Sequence, residues 1–239
     1  MIKATAHTAL APLVLAHTVL RSALSFTASR SWTVTAMAAC KSFPASTAHR
    51  QHLLTRSPSS GVLAGMDFVV SDSRTRNCPR GVVVNMSLGA SRLQTVNDGA
   101  AAVVRSGIFL AAAAGNGDVF GRPVNANTVS PASESSVCTV GATDRNDRTA
   151  SFSNFGPDVD IYAPGVDVAS TYPGGRTGVL LSGTSMATPH IAGLAAYYLG
   201  LGSSTASNMC DYIASTAIRN AISGVPSGTV NLLAQNGLA

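Results

Sequence analysis

Acidic residues are missing from the first part of this 239-residue chain, which contains no Asp or Glu before Asp67. The first 66 residues carry six basic side chains, whereas the rest of the chain carries ten Arg and eleven acids. The net charge of +5 therefore comes from one end of the chain. Because no basic motif interleaved with aromatic residues accompanies this charge, the sequence argues against a nucleic-acid-binding protein.

Long apolar runs are lacking as well. No stretch approaches the roughly 18 apolar residues that a membrane-spanning helix needs, so we expect no membrane span. Only 11% of the residues are charged and 46% are hydrophobic, with 22 Gly and 11 Pro. This profile is typical of a compact, turn-rich globular protein, and the length suits one medium domain.

The chain divides into two unlike segments near Ser60. Residues 1–59 are rich in Ala, Thr, Ser and His, and their apolar residues follow no clean period. A secretory signal is one interpretation, although His17 interrupts the apolar stretch at residues 9–20 and no good Ala-x-Ala site follows. An organelle transit peptide is a second interpretation. A mis-spliced or frameshifted stretch is the third.

Residues 60–239 are patterned as alternating strands and helices. Helical spacing is found at residues 61–72, 92–107 (ending on Gly107 as a C-cap), 185–201 and 205–217, and short buried strands at 81–88, 108–116, 136–143 and 159–165. Strands that alternate with helices predict an α/β protein with a parallel sheet covered on both faces.

A serine with the context of a nucleophile lies in "SGTSMATPHIAG", residues 182–193. A serine hydroxyl attacks a carbonyl only if a base removes its proton and donors stabilise the oxyanion. Ser185 lies where a turn meets a helix N-terminus, which favours developing negative charge. A Ser at this place can also be a simple helix N-cap, so the longer motif must decide.

The motif resembles the serine motif of the subtilisin-like serine proteases, and the flanking text resembles their proteinase K branch. The stretches that carry the resemblance are "AGMDFVVSD", "RNCPRGVVVNMSLG", "SPASESSVCTVGATDRNDRTASFSNFG" and "GTVNLLA". By this resemblance Ser185 is the nucleophile of a serine endopeptidase, and Asn116 is the oxyanion-hole asparagine. It implies a three-layer parallel-sheet fold that is incomplete on its N-terminal side.

The resemblance also implies a mode of substrate binding. Ser87, Leu88 and Gly89 would pair with an extended substrate backbone. Ala113, Ala114 and Gly115 would line the pocket for the side chain before the scissile bond. Their small, uncharged side chains favour polypeptide substrates with apolar or aromatic residues at that position. The expected protein is a secreted monomer that needs no cofactor for catalysis.

Two members of the family's catalytic triad have no match here. The family places an Asp in an Asp-Ser/Thr-Gly motif and a His in a His-Gly-Thr-His motif, both before the helix that begins near Ser60. His49 and His52, in "TAHRQHLL", are the nearest candidates and match poorly. His190 lies about 140° around its helix from Ser185, so we expect it to pack rather than act as base. We therefore expect negligible peptidase activity. The alternative is a degenerate chain that at most binds extended peptides.

The resemblance implies a disulfide and a metal site. Cys138 and Cys210 match a bonded pair, whereas Cys78 matches a half-cystine whose partner lies in the region missing from this chain, which would leave Cys78 unpaired. Cys40 lies in the unmatched segment, and the sequence alone does not pair it with Cys78. Asp160 matches a structural calcium ligand, together with the backbone carbonyls of Ser135 and Val137. Calcium prefers such hard oxygen ligands.

In the family, the region that is missing from this chain supplies the strand beside the one in "VVVNMSL", and two more strands beyond it. Without it, that hydrophobic strand would be an open sheet edge, which favours aggregation. This expectation is why we prefer mis-assembled sequence as the interpretation of residues 1–59.

Overall fold

The computed structural model describes the backbone of residues 23–28 and 32–38, and then residues 59–172 and 176–237. The interpretations offered for residues 1–59 therefore fall largely outside the described residues, as do Cys40, His49 and His52. Within the described part of the chain, no helix combines the length and apolarity that crossing a membrane requires.

An eight-stranded sheet forms the centre of the fold, in the strand order β1-β2-β3-β5-β7-β8-β12-β11. Its strands are β1 (Ala23–Ala28), β2 (Trp32–Ala38), β3 (Val82–Met86), β5 (Phe109–Ala113), β7 (Cys138–Thr143), β8 (Ile161–Pro164), β11 (Ile218–Arg219) and β12 (Leu232–Leu233). Two small two-stranded sheets are formed by β4 (Ala90–Ser91) with β6 (Val129–Ser130), and by β9 (Val168–Tyr172) with β10 (Arg176–Leu181).

The middle of the sheet is parallel. β3, β5, β7, β8 and β12 run in one direction, while β1, β2 and β11 pair antiparallel with their neighbours. Every residue of β3, β5, β7 and β8 is buried. Continuous burial is what a parallel sheet covered on both faces requires, so the predicted α/β architecture is confirmed.

β3 is not an open edge. β2 pairs with it antiparallel over five residues, from Val34 opposite Met86 to Ala38 opposite Val82. The expected exposed hydrophobic edge is therefore wrong, because the backbone groups of β3 find a partner strand on that side. That partner comes from the unmatched N-terminal segment.

Four α-helices cover the sheet within the described residues. They are α1 (Ser59–Thr75), α2 (Gln94–Arg105), α3 (Thr184–Leu201) and α4 (Met209–Thr216). The predicted end of α2 at Gly107 is one residue late: Ser106 is the C-cap, and Gly107 follows with a φ of 84°, which a glycine adopts without strain.

Side chains from the two faces of the sheet pack into two separate hydrophobic cores. Val83 packs with residues of α3 and α4, whereas its neighbours Val82 and Val84 pack with residues of α1 and α2. Because successive strand residues point to opposite faces, one strand can contribute to both cores. The molecule therefore has the three layers that the resemblance implies.

Disulfides are present on both sides of the sheet. Cys138 of β7 is bonded to Cys210 of α4, the pair that the resemblance implies, with 5.6 Å between the Cα atoms. Cys78 is also disulfide-bonded, to a partner outside the described residues. The expectation that Cys78 is unpaired is therefore wrong.

Candidate active site

Ser185 is the second residue of α3, directly after the helix begins at Thr184. The N–H groups of a first helical turn have no acceptor within the helix and carry the positive end of its dipole. The Ser185 hydroxyl donates a long hydrogen bond of 3.3 Å to the backbone oxygen of Ser87. Ser185 is partly exposed, and this long hydrogen bond holds its hydroxyl only weakly.

Asn116 lies beside the start of α3, three residues beyond the end of β5. Its Oδ1 accepts hydrogen bonds from the backbone N–H of Thr184 at 2.8 Å and from the Thr184 hydroxyl at 2.9 Å. Because two donors identify this atom as the amide oxygen, the NH₂ group is the part left to donate elsewhere. Asn116 and Ser185 both line the same cleft.

Thr184 lies in the candidate site, although the sequence motifs did not indicate it. Its side chain is fully buried, and its hydroxyl also accepts the backbone N–H of Gly115 at 3.2 Å. Through these hydrogen bonds, Thr184 connects the backbone of Gly115 and the Asn116 side chain to the N-terminus of α3. The only sequence signal was its position next to Ser185, where a Thr is expected as ordinary turn chemistry.

Pro189 explains a second tie at this helix terminus. A proline has no N–H, so it cannot donate to the carbonyl four residues earlier, which is that of Ser185. The Ser87 hydroxyl donates to that carbonyl instead, at 2.7 Å. The end of β3 and the start of α3 are thereby joined at the proposed nucleophile.

The cleft has a volume of about 660 Å³. All three predicted strand-edge residues, Ser87, Leu88 and Gly89, line the cleft. Ala113 and Gly115 line it as well, but Ala114 is not among the lining residues. Ala114 is fully buried and packs in a separate cluster on the other side, as the alternation of an extended chain requires.

A braced loop, residues 117–124, forms part of the rim of the cleft. The Asp118 carboxylate accepts the backbone N–H groups of Phe120 and Arg122, and it accepts both Nε and Nη2 of the Arg122 guanidinium at 2.9 and 2.7 Å. Hydrogen bonding by Arg122 holds the pKa of Asp118 below its usual range. Asp118 and Val119 line the cleft, and the Val119 side chain is 93% exposed.

His190 does not contact the Ser185 hydroxyl. It is the one histidine in the described part of the chain, and its Nδ1 donates to the Met186 carbonyl at 2.8 Å. Within residues 59–172 and 176–237, no imidazole or carboxylate is hydrogen-bonded to Ser185. Among the described residues, the predicted nucleophile and the predicted oxyanion asparagine thus line one cleft, and no side chain is placed to act as general base for Ser185.

Asp160 lies at the predicted calcium position, just before β8. Its Oδ2 accepts the Thr139 backbone N–H at 2.7 Å. Burial raises the pKa of Asp160 to about 6, the Thr139 hydrogen bond opposes this, and the carboxylates of Asp158 and Asp211 add to the increase. A partly buried carboxylate with like-charged neighbours and no cationic partner among the described residues fits a cation-binding role. The nearby sulfurs of Cys138 and Cys210 are held in their disulfide and are not thiolate ligands.

The chain matches known proteins over most of its length. The model of the subtilase family, Peptidase_S8, matches residues 66–236. Proteinase R of Parengyodontium album is 56% identical over 177 residues, which cover 74% of this chain and 44% of that protein. The cuticle-degrading protease of Metarhizium anisopliae is 56% identical over 179 residues, which cover 74% of this chain and 45% of that protein.

A solved structure agrees with the sequence comparisons. The crystal structure of a cold adapted subtilisin-like serine proteinase matches with a TM-score of 0.67 and 36% identity, over 74% of this chain and 61% of that one. The chain spans about half the length of these curated relatives.

Proposed function

Because the chain belongs to the subtilase family of serine peptidases, we propose that it carries the nucleophile and oxyanion half of a serine endopeptidase site. The observation that supports this most directly is the arrangement of Ser185 and Asn116 at the head of α3. Ser185 and Asn116 line one cleft, and the Ser185 N–H belongs to the first turn of α3. A nucleophile and two oxyanion donors are what acyl transfer requires.

The proposed reaction is attack of the Ser185 Oγ on the carbonyl carbon of a peptide bond. The oxyanion that forms would be held by the Asn116 NH₂ group and the Ser185 N–H. Removing one such donor lowers the rate of the chemical step about 10²- to 10³-fold. Collapse expels the amine, which must take up a proton, and leaves an ester on Ser185 that water hydrolyses. During the attack the Ser185 hydroxyl proton must pass to a general base, and the departing amine must then receive a proton from a general acid.

We propose extended polypeptides with apolar or aromatic side chains as the substrates. The walls of the cleft include Leu88, Ala113 and Val119, and its one acidic lining residue, Asp118, is neutralised by Arg122. Ser87, Leu88 and Gly89 run along the cleft as an edge against which a substrate strand can lie.

As written, the chain is proposed to turn over peptides negligibly. No Asp or Glu precedes Asp67, and neither His49 nor His52 lies in a matching motif. Loss of triad members leaves only the oxyanion hole and substrate binding, with decreases of about 10⁴–10⁶ in rate. The second candidate function, binding of extended peptides without hydrolysis, is favoured by the lack of a base among the described residues.

A fluorophosphonate probe and an apolar peptide substrate test these proposals together. We expect the purified chain to bind the peptide, to label Ser185 slowly, and to lose all labelling in Ser185→Ala. Labelling as fast as in an intact relative, and abolished by Ser185→Ala, would show that a base is present, and His49 and His52 would be replaced first to find it. Equal slow labelling in Ser185→Ala would refute the assignment of the nucleophile.

We further propose a structural calcium ion held by Asp160 with the carbonyl oxygens of Ser135 and Val137, and an extracellular location. The calcium proposal is supported by the partly buried carboxylate and its acidic neighbours. The location is supported by the disulfides of Cys138 with Cys210 and of Cys78, because such bonds persist in oxidising compartments.

A further inference from the structure

Asn154 is a fully buried asparagine that lies outside the cleft yet is bonded to the segment carrying Asn116. Its Nδ2 donates to the Ala114 carbonyl at 2.9 Å, and its Oδ1 accepts the Gly117 N–H at 3.0 Å. Its own backbone N–H donates to the Gly115 carbonyl at 3.0 Å. One residue therefore fixes backbone groups on both sides of Asn116.

The same side chain closes the rim of the cleft. Oδ1 of Asn154 accepts a second hydrogen bond, from the Val124 N–H at 3.0 Å. Gly117 and Val124 are the two ends of the braced loop, so the Asn154 Oδ1 atom is hydrogen-bonded to both ends of that loop. The next residue, Phe155, extends this attachment by donating its N–H to the Val124 carbonyl at 3.2 Å.

Asn154 packs tightly against residues 114–117, which we call the oxyanion segment. A Cβ atom at Gly115 would lie 2.4 Å from the Asn154 Nδ2, and Gly115 has a φ of 102°. Both the close approach and the positive φ require glycine at this position. The backbone immediately before Asn116 is thus shaped by contact with Asn154.

We propose that Asn154 is a positioning residue for the oxyanion donor: it holds the backbone of residues 114–117 so that the Asn116 amide faces the Ser185 hydroxyl. This rests on the proposed function. Asn154 does not line the cleft and so acts through Asn116. Replacement by Leu would leave three backbone groups, at Ala114, Gly117 and Val124, without their partner, and the segment would have to move to recover them.

A matched control is available in Asn97 of α2. It is also a buried asparagine, 1% exposed, and its Nδ2 donates at 2.9 Å to Ser133, a residue outside the oxyanion segment. Asn97→Leu and Asn154→Leu therefore remove the same side chain from the same degree of burial. Only Asn154→Leu removes it from the backbone next to Asn116.

The test compares two ligands with the same peptide, one ending in a phenylalanine boronic acid and one ending in the phenylalanine amide. Ser185 Oγ adds to the trigonal boron and its hydroxyl proton leaves to solvent, giving an anionic tetrahedral boronate that ¹¹B NMR detects. Only the boronate needs the oxyanion donors, so the ratio of the two affinities, measured by calorimetry, reports how well they are positioned.

We expect Asn154→Leu to lower the boronate affinity about 10- to 100-fold, less than the loss of a whole donor, with the amide peptide bound as before. Asn97→Leu should leave the affinity ratio unchanged. An equal loss for both ligands in Asn154→Leu, or the same change of ratio in Asn97→Leu, would overturn the proposal.

Amide hydrogen exchange separates this proposal from the proposed function. The parental protein should protect the N–H groups of Gly117 and Val124, and Asn154→Leu should release both while Asn97→Leu releases neither. Fast exchange of these two amides in the parental protein would overturn the positioning role, even if Asn154→Leu fails to fold. If no tetrahedral boronate forms on the parental protein, the proposed function fails, and the exchange result still shows whether Asn154 holds the backbone at Gly117 and Val124.

Discussion

Thr184 donates two hydrogen bonds to one atom, the side-chain oxygen of Asn116, at 2.8 Å from its backbone and 2.9 Å from its hydroxyl. This relationship fixes which end of the Asn116 amide can face the cleft. It also makes the residue before the proposed nucleophile responsible for orienting the oxyanion donor. The proposed nucleophile and the proposed oxyanion donor are therefore coupled through one threonine.

Thr184→Val tests this coupling because valine keeps the shape and removes the hydroxyl. We expect the affinity for the peptide boronic acid to fall about 10-fold, since Asn116 keeps only the backbone donor. The free energy of unfolding should fall by about 1–3 kcal/mol, because the Gly115 N–H loses its acceptor in a buried place. Thr184→Ser keeps the hydroxyl and should retain both properties. Unchanged boronate binding in Thr184→Val would contradict the coupling.

The tie between Ser87 and the Ser185 carbonyl gives a second prediction. Ser87→Ala removes the donor that replaces the missing N–H of Pro189, so unfolding should become easier by about 1 kcal/mol. In Pro189→Ala the helix regains that N–H. The same Ser87→Ala change should then cost close to nothing.

Urea denaturation of the two single variants and the double variant completes this cycle. Effects of Pro189→Ala on the unfolded chain cancel in the comparison. Equal costs of Ser87→Ala in both backgrounds would show that the Ser87 hydroxyl does not substitute for the helical donor.

The main elements of the fold could be predicted from the sequence because the buried strands are continuously apolar runs and the helices show helical spacing. β3, β5, β7 and β8 and the helices α1, α2 and α3 all fall within the ranges expected or within a few residues of them. Strands of two residues, such as β4 and β6, leave no periodic pattern and were missed. The pairing of β2 with β3 was missed because the apolar residues of the N-terminal segment follow no clean period.

The site divides in the same way. Ser185 and Asn116 lie in motifs of many consecutive residues, so the sequence indicates them. Thr184 and Asn154 act through partners 68 and 30–40 residues away, and neither spacing carries a local signal. Ala114 was misplaced because the motif assigns three consecutive residues to the pocket, while an extended chain turns the middle one away.

Calcium should stabilise the protein through Asp160. A ligand that binds only the folded state adds about 2.7 kcal/mol when present at 100 times its dissociation constant, so the melting temperature should rise with added CaCl₂. Asp160→Asn should remove most of that dependence. Asp67→Asn is the control, because Asp67 is an exposed carboxylate of α1 without a hydrogen bond among the described residues.

Melting curves recorded with CaCl₂, with MgCl₂ and with EDTA separate calcium from a general salt effect. Equal shifts in the parental protein and in Asp160→Asn would contradict the site. Loss of the calcium dependence to the same extent in Asp67→Asn would also contradict the site.

Arg122 should control which side chains the cleft accepts. Asp118 lines the cleft, but its carboxylate is held by the Arg122 guanidinium, which is itself largely exposed. Arg122→Ala removes that partner but leaves Asp118 ionised at neutral pH, because the backbone N–H groups of residues 120 and 122 still lower the pKa of its carboxyl. A negative charge at the rim favours a peptide with a basic side chain.

The expected gain is modest because the charge is solvated. Exposed ion pairs contribute about 0.2–1 kcal/mol, so Arg122→Ala should bind a lysine-containing peptide up to about five-fold more tightly at low salt, and the gain should disappear at about 1 M NaCl. A peptide with phenylalanine at the same position should bind as before. Adding Asp118→Asn to Arg122→Ala should abolish the gain, since no carboxylate then remains on the rim. A gain that persists in the double variant, or in high salt, would mean that the exposed Val119 and Phe120 of the braced loop, rather than the Asp118 charge, had changed the preference.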